Sequence, residues 1–204
     1  MEVRLIAITH YLQENGYPEE LIERAGKICY RSETRSDLAG FIHARIRQGH
    51  ESIIEHASAS FEISGISRAC SHQLVRHRIA SFSQESQRYV DMSDPEFVVP
   101  ETIVANERAL AYWQGFVQHA VSVYQELRRL GIPKEDARFI LPNATATRLV
   151  VTMNFRELRH FFKLRCSPQA QWEIRAVAKR MLELIYPEAP ATFRDLYDEF
   201  CLQE

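Results

Sequence analysis

Between Arg76 and Tyr89 the chain reads Arg-His-Arg-Ile-Ala-Ser-Phe-Ser-Gln-Glu-Ser-Gln-Arg-Tyr, with three arginines, one histidine and three serines in one run. The preceding residues, 67–75, predict a helix with Ser67 as its N-cap. On that helix Arg68, His72 and Arg76 stand one turn apart on a single face, with Gln73 and His77 beside them. The helix then delivers Arg78 into a polar loop. Such a density of donors suits a multiply charged anion. The planar guanidinium fork matches phosphate oxygens, and serine hydroxyls reach the remaining lone pairs. A basic helix end is also common as a solvated face with a favourable dipole contact. That simpler role has no need of regularly spaced hydroxyls or of Arg88.

A second pattern lies between Asn154 and Arg165. Asn154 reads as a helix N-cap, with Glu157 three residues on as in a capping box. Leu158, Phe161 and Phe162 form the apolar stripe, and Arg165 falls on the same stripe. An unpaired buried cation is costly, so Arg165 must either snorkel off the helix end or meet an acceptor. Arg156, His160 and Lys163 make a basic face, the pattern of an ordinary solvated surface. A third candidate is Gly49-His50-Glu51-Ser52-Ile53-Ile54-Glu55-His56. Its spacing is not that of His-Glu-x-x-His, and Ser52 stands where His-x-x-Glu-His needs its first ligand. The expectation there is a polar loop and no metal.

These residues need a frame. Residues 2–8 alternate as a strand with Val3, Leu5 and Ala7 on one side. Pro18 opens a helix burying Leu21, Ile22, Ala25 and Ile28. Ser36 and Asp37 precede another, with Leu38, Phe41, Ile42 and Ile46 inward and Gly49 at its end. Ala57, Ala59, Phe61 and Ile63 alternate with polar residues as a strand closed by Gly65. Phe97-Val98-Val99-Pro100 is a short apolar piece. A long helix is expected from about Glu101 to Leu130, stopped by Gly131 and Pro133. A short helix over 136–142 broken by Pro142 follows, then a β-branched strand over 144–153. Ser167-Pro168 is expected to start a helix ended by Pro187, and Pro190 the last, with Phe193, Leu196, Tyr197 and Phe200 inward. The pattern is one α+β domain over residues 1–204.

Composition narrows the functional classes. The net charge of −2 over 204 residues excludes a general polyanion coat and confines any basic site to a local patch. No stretch resembles a membrane span, and Met1–Ile8 is too charged for a signal peptide. The cysteines, Cys29, Cys70, Cys166 and Cys201, form no Cys-x-x-Cys pair, so neither zinc nor a redox dithiol is signalled. Such scattered thiols suit a reducing, cytoplasmic setting. The seven glycines make neither a dinucleotide-binding nor a Walker turn. Any nucleotide must therefore be held by side-chain cations. Two readings from other classes stand beside this one: a metal-dependent phosphohydrolase on His50, Glu51, Glu55 and His56, and a nucleic-acid module on the basic helix at 68–78.

Arg76-His77-Arg78, seven residues and then Ser86 resemble the signature of the flavin-dependent thymidylate synthases. Gly49–His56 is similar to that family's upstream flavin-contacting segment. Asn154-Phe155-Arg156-Glu157-Leu158-Arg159-His160-Phe161-Phe162, Arg165 and Gln171-Trp172-Glu173 resemble its downstream segment. The resemblance implies reductive methylation of dUMP to dTMP, with the carbon from 5,10-methylenetetrahydrofolate, FAD reduced by NADPH, and no cysteine nucleophile. It implies an antiparallel-rich sheet flanked by helices, a long helical arm, and an intertwined homotetramer whose subunits share sites, with no nucleic-acid or membrane partner. By the same resemblance Gln73, Arg76, Gln84, Glu85, Ser86, Gln87, Arg88 and Arg138 match nucleotide-binding positions. His50, Ser52, Glu55, Arg76, His77, Arg78, Gln84, Asn154, Arg156 and His160 match flavin-contacting ones, and Arg165 matches the arginine that activates the uracil ring. Ser86 reads as a binding residue, since no activating base is evident for it.

Overall fold

A computed structural model of the chain describes residues 1–13, 15–31 and 37–202. In order the elements are β1 (Glu2–Ile8), α1 (Pro18–Tyr30), α2 (Leu38–Arg47), a 3-10 stretch (Glu51–His56), β2 (Ser58–Ser67), α3 (Arg68–Leu74) and β3 (Ala80–Gln84). Then come α4 (Glu101–Val104), α5 (Glu107–Arg129), α6 (Lys134–Ala137), a 3-10 turn (Arg138–Ile140), β4 (Ala146–Asn154), α7 (Phe155–Arg165), α8 (Trp172–Ile185), a 3-10 turn (Tyr186–Glu188) and α9 (Pro190–Phe200). The fold is α+β. Its antiparallel sheet has four strands in the order β1-β2-β4-β3 and is flanked by helices.

The chain divides into two compact units. The first comprises Met1–Ile63, Gln73–Phe82 and Val150–Glu204; the second comprises Ser64–His72 and Ser83–Leu149. In the first, α7, α8 and α9 pack on one another, α2 packs on α9, and α1 packs on α2 and the 3-10 stretch. Phe61, Ile63, Phe155, Phe161, Phe162, Met181 and Phe193 fill its core. A polar staple runs through it from buried Arg159 to Asp195 at the surface. Arg159, 1 % exposed, donates to both carboxylate oxygens of Asp195 and to the Thr192 carbonyl. The Thr192 N–H and hydroxyl in turn donate to Glu19. In the second unit, Met92, Tyr124 and Ala137 form a small core beneath Leu127, Ile132, Ile140 and Leu141. The Tyr124 hydroxyl there accepts from the Met92 N–H at 3.2 Å.

Several expectations need correction. The expected loop after Arg78 contains β3, whose Ala80, Phe82 and Gln84 alternate with exposed Ser81 and Ser83. Helix α3 ends at Leu74, so Arg76 lies in the following turn and does not continue the face of Arg68 and His72. Residues 51–56 are helical, not a loop, because Ile53 and Ile54 are drawn into the core. Strand β2 does not close at Gly65 but runs to Ser67. Gly65 has a φ of +69° and the buried phase slips by one residue there, the mark of a bulge. The long helix breaks after Val104 because the Asn106 side chain accepts from the Ala109 N–H and starts α5 afresh. Helix α8 begins at Trp172, capped by Gln171, not at Ser167-Pro168. Ile28 is exposed on α1, while Gly26 is buried against the Phe41 ring. Asp37 caps α2 through the Gly40 N–H at 3.1 Å; Ser36 lies outside the described residues.

Candidate functional site

In the first unit the chemistry gathers on α7. Glu157, Phe161 and Arg165 are spaced i, i+4 and i+8, one row along the helix. Asn154 caps the helix by accepting from the Glu157 N–H at 2.8 Å. The reciprocal half of the expected capping box is not made. The Glu157 carboxylate is instead engaged by His77 Nδ1 at 3.1 Å. The His77 ring, 4 % exposed, stands edge-on to Phe161, with centroids 4.9 Å apart. Its other nitrogen, Nε2, accepts from Arg165 Nε at 3.1 Å, and Arg165 Nη2 donates to the Gln73 carbonyl at 3.3 Å.

This geometry dictates a protonation state. Arginine can only donate and carboxylate can only accept. His77 must therefore carry its hydrogen on Nδ1 and keep a lone pair on Nε2. Burial pushes the His77 pKa below its ordinary value; the hydrogen bond to Glu157 opposes this, and the charge of Arg165 adds to it. His77 is thus a neutral connector between a carboxylate and a guanidinium. With its lone pair turned to Arg165, it is a poor candidate for a general base.

The exposed side of α7 borders a cleft of about 530 Å³ lined by Glu51, Glu55, Ile79, Asn154, Arg156, Glu157, His160 and Lys163. Arg156 donates to Glu55 at 2.5 Å and lies 3.7 Å from Glu51, and Lys163 lies 3.9 Å from Glu51. Cations and carboxylates alternate here. That donor set fits a ligand carrying both phosphate oxygens and N–H or hydroxyl donors. The cleft brings together Glu55, Asn154, Arg156 and His160 of the expected cofactor residues. His50 and Ser52 are exposed on the neighbouring 3-10 stretch and its approach, and Arg76 and Arg78 are exposed after α3.

The second unit holds a different cluster. Gln84 donates through Nε2 to Ser71 at 3.0 Å and Thr147 at 3.2 Å. Arg68 Nη2 donates to the Glu85 carbonyl at 3.0 Å, and Arg148 Nε donates to the Glu85 carboxylate at 3.1 Å. Ser86 accepts from the Arg88 N–H at 3.2 Å, a turn-closing role. Arg88 pairs with Glu135 at 2.5 Å, and Arg138 Nε donates to the Glu135 carbonyl at 3.0 Å. Gln87 is buried between these neighbours in sequence. Burial lowers the Arg68 pKa; Glu85 counters that, and the like charge of Arg138 reinforces it. A second cleft of about 310 Å³ is bordered by Glu85, Asp91, Glu96, Thr147 and Arg148.

Sequence reasoning missed Glu157 as a site residue. Its signal was the shared row with Phe161 and Arg165, but it reads equally well as half of a capping box. Burial pushes the Cys166 thiol up to about 12, so it stays protonated and unreactive near neutral pH. Among the described residues no group of three His, Cys, Asp or Glu converges. Glu51 and Glu55 already face Arg156, which weighs against a metal-dependent hydrolase. The end of α3 at Leu74 likewise removes the continuous basic helix that a nucleic-acid module would use. Among the described residues no helix is long and apolar enough to cross a membrane.

With that geometry in view, the whole-chain comparisons add a class. Residues 10–191 match the family described as thymidylate synthase complementing protein. A protein of Geobacter sulfurreducens named flavin-dependent thymidylate synthase is 49% identical over 195 residues, covering 90% of this chain and 84% of its own. Proteins of the same name from Pyrococcus furiosus and Clostridium tetani are 45% identical over 179 residues and 36% over 208. The first alignment covers 81% of this chain and 73% of the relative; the second covers 90% and 84%. The chain belongs to the flavin-dependent thymidylate synthase family.

Proposed function

We propose that the chain forms dTMP from dUMP, taking the carbon from 5,10-methylenetetrahydrofolate. The observation that carries this reading is the family match from residue 10 to 191. FAD, reduced by NADPH, supplies the hydride chemistry that no side chain can. Arg165 stabilises negative charge developing on the uracil ring, as a preorganised donor does. The Nε hydrogen bond to His77 and the Nη2 hydrogen bond to Gln73 support that role, because they set the guanidinium plane in advance.

Glu55, Asn154, Arg156 and His160 hold the flavin, with Arg76, His77, Arg78, Gln84, His50 and Ser52 as further contacts. Gln73, Arg76, Gln84, Glu85, Ser86, Gln87, Arg88 and Arg138 hold dUMP, with the arginines on its phosphate. No thiol takes part, in keeping with a protonated, buried Cys166. Residues 1–204 act as one functional domain in a cytoplasmic homotetramer whose subunits share sites. Exposed Tyr112 and Phe116 on α5 support that assembly, since large apolar side chains favour burial in a partner.

The test is the visible absorbance of the purified protein followed by a dTMP assay. Bound flavin, with dTMP formed only when dUMP, folate and NADPH are all supplied, is the expected result. A colourless protein that takes up no FAD overturns the reading.

A further inference from the structure

Glu157 has no part in the roles given above, yet it is 7 % exposed and its carboxylate is directed to His77 and not to its own helix cap. An imidazole has two neutral forms. In the alternative form Nε2 carries the hydrogen and meets the Arg165 N–H, donor against donor. Nδ1 then turns a lone pair on a carboxylate. Glu157 and Arg165 therefore select the same form from opposite sides of the ring. Among the described residues, the ring also makes an edge-on contact with Phe161 and stands 5.8 Å, centroid to centroid, from His160. Without Glu157, the ring loses the acceptor that holds its Nδ1 hydrogen in place.

We propose that Glu157 is a positioning residue for Arg165: it holds His77 as the Nδ1–H form, so that Nε2 presents its lone pair to Arg165 Nε and the guanidinium plane is set before the substrate arrives. The inference rests on the function proposed above. It makes Glu157 part of the rate and not of substrate affinity. The Glu157–Phe161–Arg165 row on α7 is then one device, with Phe161 as the platform for the bridging ring.

The test compares Glu157→Leu with Glu157→Gln in the intact, flavin-loaded enzyme; glutamine keeps an acceptor oxygen at similar reach and leucine does not. Flavin content, the KM for dUMP and kcat are measured together. The expected leucine variant keeps its flavin and a KM within about threefold of the parent, while kcat falls about a hundredfold, the cost of a misplaced catalytic group. Glutamine should recover at least about tenfold of that loss. A leucine variant with unchanged kcat, or one impaired only in flavin content or KM, overturns the proposal. If the leucine variant does not fold, nitrogen-15 spectra of the unsubstituted enzyme decide. Hydrogen on His77 Nδ1 supports the proposal; an Nε2–H form or an imidazolium at neutral pH overturns it. Failure of the unsubstituted protein to bind flavin or make dTMP is a separate result, and it overturns the function itself.

Discussion

Arg165 in the first unit and Arg88 and Arg148 in the second are held in opposite ways. In the first, Arg165 is fixed by a buried histidine, itself fixed by a buried carboxylate. In the second, Arg88 and Arg148 meet glutamates in pairs whose arginines are 58% and 68% exposed. Exposed ion pairs contribute little and are screened by salt. Such arginines can exchange a carboxylate for a phosphate at small cost. A half-buried guanidinium hydrogen-bonded to a buried ring cannot rearrange so cheaply, and it serves where charge must be met without reorganisation. Under the proposed function, this difference suits Arg165 to transition-state stabilisation and Arg88 to anion capture.

The sharpest way to break that contrast is Arg165→Ala. It should lower kcat by about 10³-fold or more, as loss of an oxyanion-type donor does, while flavin absorbance persists. Loss of flavin along with activity would make Arg165 structural. Next, His77→Ala leaves Glu157 buried without its partner. It should cost about 3 kcal/mol in denaturant unfolding. A loss under about 1 kcal/mol would mean the line is not a buried, mutually satisfied unit. Arg88→Ala should raise the KM for dUMP roughly ten- to a hundredfold, the worth of charged phosphate hydrogen bonds, and leave kcat within a few-fold. Smallest of all, Arg148→Ala should alter stability by no more than about 0.5 kcal/mol, since its pair is exposed on the arginine side.

Acid supplies an independent check on the first unit. The His77 pKa lies below its ordinary 6.5 in the folded chain. Below about 6.5 the unfolded chain therefore binds a proton there that the folded chain resists. The contribution of this group is fully present above that pH and declines as pH falls through the window toward the folded value. Unfolding midpoints measured from neutral to mildly acidic pH should drop, and the drop should be shallower in His77→Gln. An equal slope in both proteins would mean that His77 titrates as freely folded as unfolded.

Much of this was legible in the chain. The alternation of Ala59, Phe61 and Ile63, the Asn154 cap and the stripe of α9 follow from local pattern, and local pattern is what those elements obey. Strand β3 was not legible, because Phe82 is its lone large apolar residue and its edge position lets serines face outward. The break before α5 depends on one asparagine side chain, and the bulge at Gly65 on one positive φ. Arg159 reads as a surface residue until Asp195, 36 positions away, is brought to it. Glu157 was visible as a cap and hidden as a site residue, since its partner His77 is 80 positions away. Long-range pairing of polar groups leaves no periodic trace.

The most direct measurement sets Arg165→Ala beside Arg88→Ala, with flavin content, kcat and the KM for dUMP determined on the same preparations. The account predicts that both stay yellow, that the first loses kcat, and that the second loses affinity for dUMP. Equal losses in the same parameter, or the two effects exchanged between the variants, would contradict it.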